Sequence, residues 1–210
     1  MTGTGSGPVV TTARLVLRPF SDMDRGPFFA LNAHPLVVES LGSAPTRAES
    51  DAMIERYSAE MAREGWGLWA VGEADGGREA ATAFVGMVGL HRVRPEMPCA
   101  PAVEIGWRLH PDFWGKGYAT EAAAAALRFG LEDAGLAEIV AFTTTLNTRS
   151  QAVMARIGMV RDADGDFDHP SVPEDSPLRR HVLYRARPAD GAGGAAPRRG
   201  AVGGHSRPLP

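Results

Sequence analysis

One stretch decides the fold: Trp114-Gly115-Lys116-Gly117-Tyr118-Ala119-Thr120. Before it, residues 103–109 are rich in strand formers, and after it residues 121–131 include five successive alanines that favour a helix. Two glycines therefore fall in the turn between a strand and a helix, where glycine permits a positive φ and the close approach of a ligand. Because a helix start offers free N–H groups and a positive dipole end, the stretch predicts a phosphate cradle. An ordinary tight turn is the alternative that the glycines alone leave open.

Two well-known phosphate loops can be compared with this stretch, and neither fits. A P-loop ends in Gly-Lys followed by Ser or Thr, whereas Lys116 is followed by Gly117. The dinucleotide-binding fingerprint requires a third glycine at the position that Thr120 occupies. A nicotinamide-binding oxidoreductase is therefore disfavoured, and we keep it only as a third alternative.

Composition limits the partners. A net charge of −3 without a basic cluster argues against nucleic acid. Cys99 is the single cysteine, so an internal disulfide is excluded and a reducing compartment is favoured. The sequence contains no apolar run of about 18 residues and no signal-peptide core, so we expect a cytoplasmic protein that does not enter the membrane. The acidic run over residues 162–168 lacks the EF-hand spacing; we interpret it as a solvated loop and expect no metal.

The composition changes at both ends of the chain. Residues 1–10 contain three glycines and Pro8 and are expected to form a flexible leader. Residues 188–210 contain six glycines and four prolines with few large apolar side chains, so this tail is expected to be disordered. One folded domain over residues 11–187 is predicted, and its size allows roughly 70 % of the unfolded surface to be buried.

Hydrophobic patterning within 11–187 predicts an α/β domain. Thr46 and Glu49 form a capping box at the start of a helix that ends at Gly65. Further helices are predicted over residues 21–32, 121–131 and 150–156. Strands are predicted over residues 14–18, 66–71, 83–91, 103–109, 138–143 and 180–187.

The glycine stretch resembles the pyrophosphate loop of the GNAT N-acetyltransferases. Their pattern is Gln/Arg-x-x-Gly-x-Gly/Ala, which residues 114–119 match except that Trp114 replaces the polar first residue. A second match is Asn147-Thr148-Arg149-Ser150, which corresponds to the family's Asn-x-x-Ser/Ala before a short helix and a glycine, here Gly158. The resemblance covers nearly all of the domain and points to the ribosomal-protein-alanine acetyltransferase-like (RimJ/RimL-type) branch. It implies a GNAT fold: a mixed, mostly antiparallel sheet of six to seven strands, splayed at its centre and flanked by about four helices.

The same resemblance implies acetyl-CoA as co-substrate and suggests the residues that hold it. Backbone N–H groups around Trp107, Arg108 and Leu109 would bind the pantetheine arm, and Asn147 and Ser150 would contact it from the second motif. The pyrophosphate cradle would comprise Trp114, Gly115, Lys116, Gly117, Tyr118, Ala119 and Thr120. A helix N-cap is the alternative role for Asn147, because Asn is a preferred cap residue.

Acetyl transfer needs a neutral amine, a polarised carbonyl and a stabilised thiolate. Glu104, on the strand that leads into the cradle, is the candidate base, and a structural ion pair with Arg108 is its alternative role. Many family members carry a tyrosine acid where this chain has Met154, so the resemblance shifts that role to Ser150 or to water. His91 is interpreted as an ordinary surface residue at a strand end.

The acceptor is the open part of the prediction. An α-amine, with a pKa near 7.7–8.0, is partly neutral at pH 7, whereas a lysine, with a pKa near 10.4, is not. We therefore expect acetyl transfer in a ternary complex to a peptide or protein N-terminal α-amine. The alternatives are a small amine or aminoglycoside-like antibiotic, and a non-catalytic acyl-CoA-binding module. The chain is expected to be a monomer or homodimer.

Overall fold

The computed structural model describes residues 6–75 and 78–188. Within them the chain forms one sheet of eight strands together with five α-helices. The strands are β1 (Val10–Thr11), β2 (Leu15–Arg18), β3 (Leu68–Asp75), β4 (Arg78–Arg92), β5 (Val103–Leu109), β6 (Ile139–Thr144), β7 (Val160–Asp168) and β8 (Arg180–Ala186). The α-helices are α1 (Arg25–Ala33), α2 (Pro35–Leu41), α3 (Arg47–Glu64), α4 (Tyr118–Arg128) and α5 (Thr148–Arg156).

The sheet has the strand order β1-β2-β3-β4-β5-β6-β8-β7, and every neighbouring pair is antiparallel except β5 with β6. These two strands are registered only at Glu104 and Val140. Beyond that point β5 continues to Leu109 and β6 continues to Thr144, but the two strands no longer pair with each other. The sheet therefore opens at its centre, which confirms the expected splay.

Local sequence explains where α3 begins and ends. The Thr46 hydroxyl accepts a hydrogen bond from the Glu49 N–H, and the Glu49 carboxylate accepts one from the Thr46 N–H at 2.7 Å. The helix ends at Gly65, whose φ of 76° is in the left-handed region that glycine tolerates best. The predicted capping box and C-terminal stop are both confirmed.

The two faces of β5 differ in chemistry, because successive side chains of a strand point to opposite faces. Val103, Ile105 and Leu109 are buried in one cluster with the alanines of α4, and we call this side the α4 face. Glu104, Gly106 and Arg108 lie on the opposite side, which we call the α3 face. There α1 and α3 pack on the sheet through a cluster that includes Phe20, Phe28, Ile54 and Tyr57.

The fold class is as expected, but the element counts were too low: the structure has eight strands and five α-helices within the described residues. The seven-residue α2 follows His34, whose ring accepts a hydrogen bond from the Leu36 N–H, and Pro35 occupies its first position. It is too short for a hydrophobic period to be visible in the sequence. Strand β1 has only two residues, so it shows no alternation either.

The acidic stretch over residues 162–168 is not the solvated loop that we expected; it lies in β7. Asp162 binds the Arg185 guanidinium at 2.6 Å, and Asp166 accepts a hydrogen bond from the Leu183 N–H at 3.1 Å. A bulge between Asp162 and Phe167 allows these contacts. Asp162 and Asp166 therefore bind groups of the neighbouring strand β8. Because β7 is at the edge of the sheet, charged side chains are favourable there.

The ends of the chain are described only in part. The expected tail over residues 188–210 and the first half of the expected leader lie outside the described residues, apart from Pro188. Within the leader, the Pro8 carbonyl accepts a hydrogen bond from the Trp69 indole at 2.8 Å, and Val10 pairs with Leu17 in β1 and β2. Ordered contacts therefore begin before Thr11.

Candidate active site

The glycine cradle has the backbone geometry that the sequence predicted. Gly115 and Gly117 have φ values of 76° and 81°, and α4 begins directly after Gly117. The first intrahelical hydrogen bond runs from the Glu121 N–H to the Gly117 carbonyl, so the N–H groups of the preceding helical residues have no acceptor within the helix. No atom lies within 4 Å of a Cβ placed on Gly115. An open loop lined with unpaired N–H groups fits the pyrophosphate of acetyl-CoA.

The cradle is held from both sides. The Trp114 indole donates to the Leu109 carbonyl at 2.8 Å, which fastens the loop to the end of β5. Arg14 donates to the Lys116 carbonyl at 3.0 Å and pairs with Glu121 in the first turn of α4. Burial alone would raise the pKa of the Glu121 carboxyl, but hydrogen bonds from Thr12 and Arg14 outweigh it and hold this pKa below its ordinary value. A charged Glu121 also suits the positive end of the helix.

The second motif lies beside the cradle. The Arg149 guanidinium lies 5.0 Å from the centre of the Trp114 ring, which places the start of α5 next to the loop. Asn147 is the N-cap of α5: its side-chain oxygen accepts from the Ser150 N–H, and its amide donates to the Thr143 hydroxyl. The cap role is thus observed directly. The Ser150 hydroxyl has no hydrogen-bond partner among the described residues and is free to act on a ligand.

Glu104 lies on the α3 face, where the sheet begins to open. It stands directly opposite His91 in the pairing of β4 with β5, and its Oε2 is 3.3 Å from the His91 Nε2. The side chain of Glu104 is only 14 % exposed. Burial raises the pKa of this carboxyl to about 8, although the positive charge of Arg94 opposes the rise. Glu104 is therefore largely protonated at pH 7 and is poised to gain or lose a proton just above it.

His91 completes this pair and is the functional candidate that sequence reasoning missed. Burial lowers the pKa of its imidazole, so the ring is neutral at pH 7. Its Nδ1 is 3.2 Å from the Arg92 carbonyl, and because a carbonyl only accepts, this contact requires the proton on Nδ1. The Nε2 lone pair then faces Glu104. The sequence shows that His91 ends a strand, but only the register of β4 with β5 brings it opposite Glu104.

Arg108 lies on the α3 face as well, but the structure does not pair it with Glu104. Its guanidinium donates to the Asn32 side-chain oxygen from α1. The ion pair that we kept as the alternative role for Glu104 is therefore absent from the described structure. The side chains of Trp107 and Leu109 pack in the cluster on the α4 face, where Leu109 is buried and Trp107 is partly buried. Met154 is buried in the same cluster.

Two further properties can be stated for the described ranges. No group of three or more His, Cys, Asp or Glu side chains there is arranged to hold a metal ion. No helix in that part of the chain is long and apolar enough to cross a membrane.

Comparison with known proteins identifies the class. Residues 14–160 match the family described as Acetyltransferase (GNAT) domain. The chain therefore belongs to the GNAT acetyltransferase family, whose members use acetyl-CoA as co-substrate, and its domain is that of an acetyl-CoA-dependent N-acetyltransferase. Family membership removes the nicotinamide-binding alternative.

Three relatives show how far the likeness extends. FsC-acetyl coenzyme A-N(2)-transacetylase of Aspergillus fumigatus is 34 % identical over 159 residues, which cover 72 % of this chain but only 65 % of that protein. An acetyltransferase structure from Agrobacterium tumefaciens is 26 % identical, with a TM-score of 0.67 over 87 % of this chain and 95 % of the other. The structure of RimL, a ribosomal L7/L12 alpha-N-protein acetyltransferase, covers 86 % of this chain and 98 % of the other with a TM-score of 0.69. At 13 % identity, RimL shares the fold and does not establish the RimJ/RimL-type branch.

Proposed function

We propose that this protein transfers the acetyl group of acetyl-CoA to a primary amine by direct attack in a ternary complex, with a peptide or protein N-terminal α-amine as acceptor. The observation that carries the proposal is the position of Glu104. Its carboxyl, with a pKa of about 8, lies on the strand that leads into the cradle, at the point where β5 and β6 separate. A base with this pKa matches an α-amine, whose pKa is near 7.7–8.0.

Glu104 would act as the base, directly or through one water. It would accept the proton that the amine loses on attack, and the protonated carboxyl would donate a hydrogen bond to the Nε2 of His91, 3.3 Å away. The His91 side chain is 31 % exposed and connects this pair with solvent, to which Glu104 can lose the proton. A lysine acceptor, with a pKa near 10.4, is almost fully protonated at pH 7, so this pair would have to remove a more tightly held proton.

The donor side would be held mainly by backbone. The N–H groups that follow Gly115 and Gly117 would bind the pyrophosphate, and the unpaired edge of β5 beyond Glu104 would bind the pantetheine arm and polarise the thioester carbonyl. Ser150, or a water beside it, would protonate the departing thiolate. That thiolate is a fairly good leaving group, so a weak acid suffices.

A small-molecule amine is the second candidate acceptor. The relative with 34 % identity favours an acceptor other than a ribosomal protein, because the name FsC-acetyl coenzyme A-N(2)-transacetylase pairs acetyl-CoA with FsC. The RimL likeness supports the peptide acceptor and the RimJ/RimL-type branch through fold alone. The single cysteine of the sequence supports a reducing, cytoplasmic setting.

The experiment that tests the acceptor is mass spectrometry of an amine panel incubated with enzyme and acetyl-CoA. The panel contains peptides with a free α-amine, the same peptides with the α-amine blocked and one lysine added, and small amines including an aminoglycoside. We expect a mass gain of one acetyl group on the first set only. Acetylation restricted to the small amines would contradict the peptide proposal, and acetyl-CoA binding without turnover of any amine would indicate a non-catalytic module.

A further inference from the structure

We propose that the Arg108 side chain binds a carboxylate of the acceptor, so that the enzyme selects amines that carry an acidic group close by. This inference rests on the proposed acetyl transfer and goes beyond it, because it defines the acceptor by its charge. Arg108 lies on the α3 face of β5, the face of Glu104, in the part of β5 that does not pair with β6. Its role concerns the side chain and is separate from any backbone contact with acetyl-CoA.

The contrast with Arg18 shows why Arg108 needs a partner. Arg18 donates two hydrogen bonds to Asp24, at 2.7 and 2.8 Å, and this acidic contact holds the pKa of the guanidinium above its ordinary value. Arg108 has no carboxylate within ion-pair distance among the described residues, and burial lowers its pKa. Of the arginines whose side chains the structure describes, Arg128, Arg149 and Arg156 also lack an ion pair, but they are exposed to solvent. Arg108 alone of these combines burial with a missing counter-charge, which is costly unless a ligand supplies it.

Arg108 is also held in place. Asn32 is 0 % exposed; its amide donates to the Phe28 carbonyl at 2.7 Å while its oxygen accepts from Arg108. Both ends of a fully buried amide thus fix one arm of the guanidinium, and the remaining N–H groups are left for another acceptor. Tyr57, on α3, is close enough to interact electrostatically with Arg108. Its hydroxyl makes no hydrogen bond within the described part of the chain and offers a second donor.

Gly106 leaves room on the α3 face of β5 between Glu104 and Arg108. A Cβ built on Gly106 would have one neighbour within 4 Å, the His91 Nε2 at 3.8 Å. By contrast, a Cβ on Gly86 or Gly89 would come within 2.2 Å of a backbone carbonyl, so those glycines serve close strand packing. The space above Gly106 is open and lies between the Glu104–His91 pair and Arg108.

The spacing sets the shape of the acceptor. Glu104 and Arg108 are four residues apart on one strand, about 13 Å between their Cα atoms, a distance that an extended peptide of about four residues spans. An amine near Glu104 and a carboxylate near Arg108 can therefore belong to one small segment. A peptide with Asp or Glu among its first three residues meets this requirement.

The test compares short peptides that differ by one carboxylate. Asp is exchanged for Asn at position 1, 2 or 3 of an otherwise neutral peptide, and kcat/KM is measured for each with the parent enzyme and with Arg108→Gln, Arg108→Lys and Arg128→Gln. A charge-assisted contact in a partly buried site predicts a preference of about 10- to 100-fold for Asp at one position. Arg108→Gln should remove this preference by slowing the Asp peptide about 10- to 100-fold more than the Asn peptide. Arg108→Lys should keep part of it, and the exposed control Arg128→Gln should keep it all. The KM for acetyl-CoA, measured for every variant, reports any change on the donor side separately.

The outcomes separate this inference from the proposed function. A parent enzyme that does not distinguish Asp from Asn at any position overturns the role of Arg108, as does an Arg108→Gln variant that slows both peptides equally. If no peptide is acetylated, amino acids are compared with their carboxamides as acceptors. A preference for the free carboxylate that disappears in Arg108→Gln would then refute the peptide acceptor while supporting Arg108. Absence of any such preference would overturn the inference.

Discussion

The candidate site has a donor face, which is the glycine cradle, and an acceptor face, which is the α3 face of β5. These two faces form in different ways. On the donor side, consecutive residues form the cradle, and its chemistry resides in backbone N–H groups that Gly115 and Gly117 expose. On the acceptor side, Glu104, His91 and Arg108 come from two paired strands, and Asn32 comes from α1. Donor recognition therefore depends on loop conformation, whereas acceptor recognition depends on side chains that only the tertiary fold brings together. A change on one face should leave the other intact, and single substitutions can test that independence.

The largest effect is expected from Gly117→Val. Valine is strained at a φ of 81°, and its side chain would occupy the cradle. We expect acetyl transfer to fall below detection at acetyl-CoA concentrations that saturate the parent, together with loss of the thermal stabilisation that acetyl-CoA provides. Differential scanning fluorimetry with and without acetyl-CoA measures this loss.

Gly135→Val is the matched control for strain. Gly135 also has a positive φ, 67°, and no atom lies within 4 Å of the position that a Cβ would take there, but it lies beyond the other end of α4. Both variants should lose about 1–3 kcal/mol of folding stability. Only Gly117→Val should lose the response to acetyl-CoA, and an equal response in the two proteins would contradict the cradle.

The donor face could be predicted from sequence because its determinants are local. The spacing of Gly115 and Gly117 before an alanine-rich helix fixes both the turn and the N–H groups, and the structure has the expected φ values. The capping box at Thr46 is equally local and was also correct. Short elements such as α2 and β1 were missed, since seven and two residues are too few to show a period.

The acceptor face could be predicted only in part. Alternation along β5 placed Glu104 and Arg108 on one face, but nothing local shows that His91 stands opposite Glu104 or that Asn32 reaches Arg108. These contacts depend on strand register and on how α1 packs. The prediction of a solvated loop over residues 162–168 was wrong for a related reason. The acidic side chains there bind Arg185 and the backbone of β8, which lie far along the sequence.

The next largest effect is expected from Glu104→Gln, which keeps the shape of the side chain and removes its basicity. General-base catalysis contributes roughly 10²–10⁴-fold, so kcat at pH 7 should fall by about that factor while acetyl-CoA binding is unchanged. In the parent, kcat/KM should rise with pH to a plateau with an apparent pKa of about 8, because the ionised carboxylate is the active form.

The ionisation of Glu104 can be distinguished from that of the substrate by using an acceptor amine that is already neutral below pH 7. With it, the limb near pH 8 should persist in the parent and disappear in Glu104→Gln. The exposed control Glu132→Gln should behave like the parent. Normal turnover of Glu104→Gln at pH 7 would remove this residue from the catalytic set.

A smaller effect is expected from His91→Ala, which removes the hydrogen-bond partner of the Glu104 carboxyl. We expect a decrease of about tenfold to a hundredfold in kcat, partly restored by imidazole in the buffer. His91 borders a surface depression that it shares with Trp66 and Leu90, so a free imidazole can approach the vacated position. His169→Ala, in the loop after β7, is the control. A decrease that imidazole does not rescue, accompanied by a lower melting temperature, would assign His91 a structural role.

The last effect concerns stability without any substrate, and it tests the acceptor face alone. The pKa of the Glu104 carboxyl is raised from 4.5 to about 8 by burial, so the folded state holds a proton that the unfolded state releases between these values. This group therefore contributes stability that is fully present below pH 4.5 and is lost as pH rises towards 8, by up to about 4 kcal/mol. Burial lowers the pKa of His91, and its contribution has the opposite sign: it is present above pH 6.5 and lost as pH falls.

Because Glu104→Gln keeps His91, the difference in unfolding free energy between variant and parent isolates the carboxyl. That difference, from urea titrations at several pH values with Glu132→Gln measured alongside, should grow in favour of the Glu104→Gln variant from pH 5 to pH 8. Parallel curves for Glu104→Gln would show that the carboxyl titrates normally, and the acceptor face would then lack the proton acceptor on which the proposed transfer depends.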